Sequence, residues 1–378
     1  MRFLFCLFMF SFLIYVWVVV PPGGGMVWDR LFAEEPLDET KLRIELSRLL
    51  LQVNTTPDMS LKNKTVEEIY KYVQELRKQV PVNPHNFNYI INPRNVCDGI
   101  DVFIISYIHS APTHYKRRTA IRETWGDPRN FDSFVFRLVF LIGKSTDKNV
   151  QEALLMESDR YGDVVQEDFT DSYRNLTYKG IMGLKWVTRY CRHAAFILKT
   201  DDDIFVNIFN VASHLQGLQK REGQVSNLLL CLVWYRMKVV RDPKSKWYLS
   251  RSEFRDDYFP TYCSGSAFMM STDVAAEMYR VSAETAFFWV DDFYITGLLA
   301  KKVGVKHVKF NSVYALGPST FLDKFTEESK WRTLTFGHVH NLNHMSRVWK
   351  KVLADRRPLL HAGSNKHNNE SSMARYFH

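Results

Sequence analysis

The sequence predicts an α/β fold, a mostly parallel sheet flanked by helices, with a membrane anchor and a stem ahead of it. Three observations lead there. From about residue 96 onward, strand-like and helix-like segments alternate, the order of a doubly wound sheet. Several of the strands are short continuous apolar runs, as expected where both faces of a sheet are covered. Residues 194–198 are the clearest case. Finally, Phe3 to Val20 carries no charge over roughly 18 residues, the lower limit for a membrane span.

The elements follow in order. Residues 1–2 form a cytoplasmic tail and 3–20 a signal anchor. Arg2 precedes the span while Asp29, Glu34 and Glu35 follow it, so the positive-inside rule leaves the N-terminus in the cytosol. A cleaved signal peptide is the alternative, but Val18-Val19-Val20-Pro21-Pro22 is a poor cleavage site. A short span suits the thinner membranes of the early secretory pathway. Residues 21–95 read as a stem. Within it, Leu42, Leu46, Leu49 and Leu50 have helical spacing, as do Val66, Ile69, Tyr70, Val73 and Leu76. These two helices are expected to pack on a domain or a partner. The Pro- and Asn-rich stretch 81–93 reads as a linker.

Strands are expected at 102–108, 136–142, 163–165 and 194–198, with helices at 116–124, 149–160 and 176–190 between them. Farther on come a strand at 267–270 and helices at 273–281 and 292–302. The globular domain spans 96–356, and the polar residues 357–378 form a disordered tail.

Four N-x-S/T sequons, at Asn54, Asn63, Asn175 and Asn369, are usable only in a lumenal chain. Outside the span four cysteines remain, an even number that suits two disulfides in an oxidising compartment, with three connectivities open. Cys97 and Cys191 each precede an apolar strand. If those strands are neighbours in one parallel sheet, the two cysteines share an end. The favoured pairing is therefore Cys97–Cys191 with Cys231–Cys263.

Hydrophobic content of 46% and charged content of 24% are those of a globular protein. The net charge of +9 suits an anionic substrate. It does not point to nucleic acid, because the longest basic run is Lys116-Arg117-Arg118 and no zinc-finger spacing occurs. No G-x-G-x-x-G follows the first strand, which disfavours a dinucleotide-dependent dehydrogenase.

The chemistry concentrates where the apolar run 194–198 leads into Asp201, Asp202 and Asp203. Three like charges at a strand end repel one another, and a hard divalent cation with oxygen ligands would relieve them. In open α/β sheets the ligand crevice lies beyond the carboxyl ends of the strands. The plainer reading is an acidic turn in which Asp203 or Asn207 caps the next helix.

Seven segments then appear in one order: R-x-x-I-R-E-T-W (118–125), F-L-I-G (140–143), D-S-Y-x-N-L-T-x-K (171–179), K-T-D-D-D (199–203), S-K-W-Y (245–248), Y-C-S-G-S (262–266) and D-D-F-Y-I-T-G (291–297). Together they resemble the β-1,3-galactosyltransferase family, glycosyltransferase family 31, over roughly residues 96–350. The resemblance implies a GT-A-type fold, a UDP-sugar donor (UDP-galactose first), a glycan acceptor, a manganese-type cation, inversion at the anomeric carbon and residence in the Golgi membrane. It assigns the cation to Asp203, with Asp201 as the first acid of a D-x-D pattern, and to His338, with His340 as the near alternative. Asp292 matches the general base, in a motif where Asp291 replaces the usual Glu and Phe293 the usual Val. Arg118 and Arg122, four apart on one helical face, suit a diphosphate; a solvated helix face is the plainer reading. Lys199, Asp201, Asp202, Gly265, Trp247 and Asp291 complete the substrate-binding candidates. Trp247 is equally compatible with core packing. A catalytically inactive glycan-binding or chaperone-like relative and a metal-dependent phosphodiesterase or nucleotidyltransferase are the competing classes.

Overall fold

The structure is a computed structural model that describes residues 38–52, 65–79, 82–317 and 332–356. The expected span at 3–20, the sequons at Asn54, Asn63 and Asn369 and the tail 357–378 lie outside the described residues. Among the described residues, no helix is long and apolar enough to cross a membrane. The chain divides into two compact units, Met1–Val80 and Pro81–His378.

In the first unit, helices α1 (Glu39–Gln52) and α2 (Val66–Gln79) form where the leucine and valine spacing expects them. Leu42, Leu46, Leu49 and Leu50 are buried with Ile69, Val73 and Leu76 in one cluster. The two apolar stripes thus cover each other. Thr65 and Glu68 make a capping box that starts α2: the Thr65 amide donates to Glu68 at 2.7 Å and the Glu68 amide to the Thr65 hydroxyl at 3.3 Å.

The second unit is built on strands β1 (Tyr89–Ile91), β2 (Ile104–His109), β3 (Phe136–Lys144), β4 (Val164–Thr170), β5 (Phe196–Asp201), β7 (Leu229–Trp234), β8 (Tyr262–Ser271) and β9 (His307–Lys309), with β6 (Ile204–Val206) set apart. Their order across the main sheet is β1-β4-β3-β2-β5-β8-β7-β9. The central four, β4-β3-β2-β5, are parallel. On either side β1 and β8 run antiparallel to their neighbours, and β9 is parallel to β7. The mostly parallel α/β expectation holds, with antiparallel pairings added toward the margins of the sheet.

One boundary moves. Residues 81–93 were expected to be a linker, but Tyr89–Ile91 pairs with β4 and the Asn88 amide bonds Asp168 at 3.0 Å. The compact unit that holds the sheet therefore begins at Pro81, ahead of the start expected at residue 96. Flanking Pro and Asn residues concealed a three-residue edge strand.

Helices cover both faces. Helices α3 (Tyr115–Arg122), α4 (Lys148–Tyr161), α6 (Ile208–Glu222) and a last helix at residues 342–356 bury Ile121, Leu154, Val211 and Trp349 against one face. Helices α5 (Leu176–Tyr190) and α7 (Thr272–Ser282) and the segment 291–303 cover the other with Trp186, Met278 and Leu299. Their ends are set by ordinary signals. Asp147 caps α4, Gly162 ends it in the left-handed conformation (φ 63°), and Asn207 caps α6. Both disulfides take the favoured pairing. Cys97–Cys191 joins the starts of neighbouring β2 and β5, with Cα atoms 5.4 Å apart, and Cys231–Cys263 joins β7 to β8.

The chain winds outward from β2 through β3 to β4 and then returns to place β5 on the other side of β2. This reversal is a topological switch point, the place where open α/β sheets form a ligand crevice, beyond the carboxyl ends of the strands. His109 and Asp201 are paired in register there.

Candidate active site

The acid triplet leaves β5 at that crevice. Side chains of an extended chain alternate in direction, so Asp201 and Asp203 face one way and Asp202 the other. Asp202 is buried, whereas its two neighbours keep contact with solvent. It accepts from the Ser110 hydroxyl at 2.7 Å, lies 2.8 Å from Nδ1 of His114, and accepts from Arg117 at 2.9 Å. The expectation that Asp202 touches substrate is corrected. Its oxygens are taken up in anchoring the 110–117 segment to the strand end.

Asp203 is reached from two sides. Arg117 donates to its Oδ2 at 3.0 Å, and Nε2 of His338 stands 3.4 Å away. His338 arrives because β11 (Phe336–His338), which lies between β10 (Tyr314–Ala315) and β6, runs antiparallel to β6, with His338 opposite Ile204. Burial alone would raise Asp203, but His338 and then Arg117 outweigh it and hold its carboxyl below the usual range. The same contact with Asp203 raises His338. His340 is exposed and touches the His338 ring edge-on at 4.3 Å.

A second acidic pair comes from the turn after Trp289. Asp291 and Asp292 open a helix whose N-cap residue, Val290, offers no side-chain cap. Asp292 accepts from the Phe293 amide at 2.8 Å and the Gly265 amide at 3.3 Å. The helix continues as a wide π turn, Tyr294–Leu299, in which Thr296 ties Asp292 to β8: its hydroxyl donates to the Asp292 carbonyl at 2.6 Å and accepts from the Cys263 amide at 2.8 Å. Such turns recur at functional sites. A Cβ added at Gly265 would lie 3.0 Å from that of Asp292, so the base candidate rests directly on this glycine. Loss of hydration, then the charge of Asp291, push Asp292 up to about 7.

Lys199 joins the two acidic groups. Its ammonium pairs with Asp201 at 2.7 Å and donates to the Gly265 carbonyl, whose own amide holds Asp292. Burial works against this charge, but Asp201 and Asp291 more than compensate and raise Lys199. Asp201 is lifted to about 7, by loss of hydration first and by Asp203 and Asp291 after it, against the pull of Lys199. Lys199 and Gly265 are thus scaffolding for the acids.

Arg118 and Arg122 require correction. The guanidinium of Arg118 is 1% exposed and bonds Glu157 at 2.6 and 2.8 Å, Ser110 at 3.0 Å, and the carbonyls of Ala111 and Pro112. Arg122 pairs with Asp163 and Glu157 and packs on the Tyr161 ring at 4.0 Å. Buried carboxylates hold both, and neither faces the crevice acids. Arg117 faces them instead. The basic run at 116–118 announced a cation here, but successive helical residues differ by about 100°, and nothing in the sequence says which one points inward.

Trp247 is 54% exposed, so it is not a core residue. Lys246 lies over its ring at 4.6 Å. The same ammonium lies 5.6 Å over the ring of Tyr173, which is 45% exposed, so the two aromatics share one surface. The segment 171–179 also explains itself: its first and last residues, Asp171 and Lys179, form a buried ion pair at 2.8 Å, and Lys179 further donates to the Ser110 carbonyl at 2.6 Å. Asn175 precedes α5, with Nδ2 bonded to the Thr170 carbonyl at 2.8 Å, and the Thr177 hydroxyl of its sequon bonds the Phe288 carbonyl.

Among the described residues, no group of three or more His, Cys, Asp and Glu side chains stands close enough to hold a metal alone. Asp203 and His338 offer two donors side by side, an oxygen and a nitrogen. Such a pair fits a cation whose remaining positions are filled by substrate phosphate oxygens and water.

Comparison with known proteins identifies the relatives of this chain. The family model "Galactosyltransferase" matches residues 116–311. Beta-1,3-galactosyltransferase 1 of Homo sapiens and of Mus musculus is 36% identical over 274 residues, covering 72% of this chain and 80% of the relative. Lactosylceramide 1,3-N-acetyl-beta-D-glucosaminyltransferase of Rattus norvegicus is 36% identical over 244 residues, 62% of this chain and 64% of the relative. A solved structure of the galactosyltransferase LgtC aligns with a TM-score of 0.33 at 10% identity, over 66% of this chain and 95% of that one. The extent and identity of the sequence matches show that this chain belongs to the galactosyltransferase family of sugar-transferring enzymes.

Proposed function

We propose that this protein is a metal-dependent, inverting β-1,3-glycosyltransferase of GT-A type that moves a hexose from a UDP-sugar to a glycan acceptor. Galactose is the leading sugar, and N-acetylglucosamine and N-acetylgalactosamine follow; the relatives' names include both a galactosyl- and an N-acetylglucosaminyltransferase. The observation that carries the reading is the meeting of two acidic pairs at the switch point, Asp201/Asp203 on one side and Asp291/Asp292 on the other, linked through Lys199 and Gly265.

Asp203 and His338 would hold a manganese-type cation, which supplies Lewis-acid stabilisation to a departing diphosphate. The residues of the chain do the rest. Arg117 brings a guanidinium to the same spot and is the candidate for contact with the diphosphate. Asp292, anchored by two amides, takes the proton from the attacking acceptor hydroxyl, and a carboxyl near 7 is well matched to that task. Asp291 supports the acceptor beside it. Trp247 and Tyr173 offer exposed aromatic faces.

We further place the chain in the Golgi membrane as a single-pass type II protein with a lumenal catalytic domain. The charge-free stretch 3–20 and the two disulfides support this. The function is tested by incubating the protein with UDP-galactose, UDP-N-acetylglucosamine or UDP-N-acetylgalactosamine and a glycan panel that includes lactose. Transfer should stop in EDTA and return with manganese more fully than with magnesium. Asp203→Ala should abolish it without loss of folding. Equal rates in chelator and in manganese contradict the metal assignment.

A further inference from the structure

One polar side chain in the floor of the crevice is left without a partner. His109 ends β2, is 5% exposed, and has no hydrogen-bond partner at either ring nitrogen. The Tyr107 hydroxyl beside it is likewise without a partner, but the two nearby lysines are engaged. Lys179 pairs with Asp171 and the Ser110 carbonyl, and Lys199 with Asp201 and the Gly265 carbonyl. The backbone carbonyl of His109 accepts from the Asp202 amide at 3.0 Å. The ring lies stacked on Tyr107, with centroids 6.1 Å apart, and the face of α5 at Gly180 closes over it. Its nearest acidic neighbour is Asp291, whose Oδ2 is 3.8 Å from Nδ1, just beyond hydrogen-bond length.

A buried imidazole with both nitrogens unmatched destabilises the fold, and such groups call for an explanation. Burial, followed by the charges of Lys199 and Lys179, holds His109 well below its usual range, so the ring is neutral and carries one N–H. The acid in this place is the shorter Asp291, which stops short of the ring.

We propose that His109 is a positioning residue for Asp291: when the acceptor is bound, Nδ1–H of His109 donates to Asp291 and fixes that carboxylate against a hydroxyl of the acceptor sugar. This rests on the reading of Asp291 and Asp292 as the acceptor-side acids. The bond is made only in the loaded site, so the free protein carries the imidazole unsatisfied. The residue should therefore help transfer and cost stability, a combination that a purely structural histidine does not show.

The experiment compares wild type with His109→Leu, which removes the donor at similar volume, His109→Gln, which keeps an N–H donor, Asp291→Asn, and the Leu–Asn double variant. Each is assayed with UDP-galactose and with lactose and benzyl β-N-acetylglucosaminide as acceptors, and each is melted without ligand. Expected is a fall in acceptor kcat/KM of roughly ten- to a hundredfold for His109→Leu, the scale of a hydrogen bond to a charged group. Donor KM and acceptor-free UDP-galactose hydrolysis should stay level, Tm should be unchanged or higher, and His109→Gln should recover part of the loss. In the Asp291→Asn background the Leu substitution should add little. A lower Tm with donor and acceptor steps falling together makes His109 structural and overturns the proposal. So does unchanged transfer, or a double variant whose losses multiply. A wild-type protein that transfers to no acceptor from any UDP-sugar overturns the proposed function itself, and this inference with it.

Discussion

In the proposed reaction Asp292 is the base, and its surroundings suit it to that role. Two amides fix its oxygens, and dehydration together with Asp291 lifts its carboxyl to about 7. Below that value the base is protonated and silent. Transfer should therefore rise with pH through about 7 and level off above it, which a kcat/KM profile from about pH 5 to 9 would reveal. A profile already flat at the acid end contradicts the assignment. Much of this was legible in the chain. The acids at 201, 203, 291 and 292 were named from the motifs, and the alternation that buries Asp202 follows from extended backbone alone. Arg117 and His109 were not legible. The first is one of three consecutive cations on a short helix, and the second is an unremarkable polar residue at the end of an apolar strand. Only the sheet order shows that this strand end faces Asp201.

At the level of elements, α3 shows how a plausible motif can mislead. Its two arginines looked suited to a phosphate, yet α4 presents Glu157 from within the core and claims both. Arg118 and Glu157 are 1% and 2% exposed, so removing one partner strands the other's charge. Arg118→Ala should lower stability by about 3–5 kcal/mol in urea unfolding, and UDP affinity should suffer only to the extent that the 110–112 loop loosens. A loss below about 1 kcal/mol would show that the pair is not acting as a buried one. Long periodic elements were read well: α5 runs Leu176–Tyr190, the span expected from its apolar face. Strands β6 and β11 escaped notice because three residues carry no period, although their pairing is what brings His338 to Asp203. The π turn after Asp292 has no sequence signal either. It becomes visible only when the Thr296 hydroxyl is seen to bridge to Cys263.

On the scale of the whole molecule, the site is a product of topology. Reversing the winding at β2 creates the switch point, and antiparallel β8 carries Gly265 to its far side. The Cys97–Cys191 bridge closes the opposite end of β2 and β5 over a sequence separation of 94 residues. Its loss through Cys191→Ser should cost about 2–5 kcal/mol, read by thermal or urea unfolding under non-reducing conditions. An unchanged midpoint would count against a bridge in the native protein. The α/β class and the disulfide pairing were accessible from the order of apolar runs and from where the cysteines fall beside them. The antiparallel extension was not, since an apolar run does not disclose its direction. In the proposed site the Asp291/Asp292 turn supplies the base while the Asp203 side holds the donor. The most direct test is a steady-state comparison of Asp292→Asn with wild type, with UDP affinity in manganese measured separately by calorimetry. This assignment calls for a fall in transfer of at least about a hundredfold, the scale of a lost general base, with UDP affinity little changed. Full transfer by Asp292→Asn, or a dead Asp291→Asn beside an active Asp292→Asn, would contradict it.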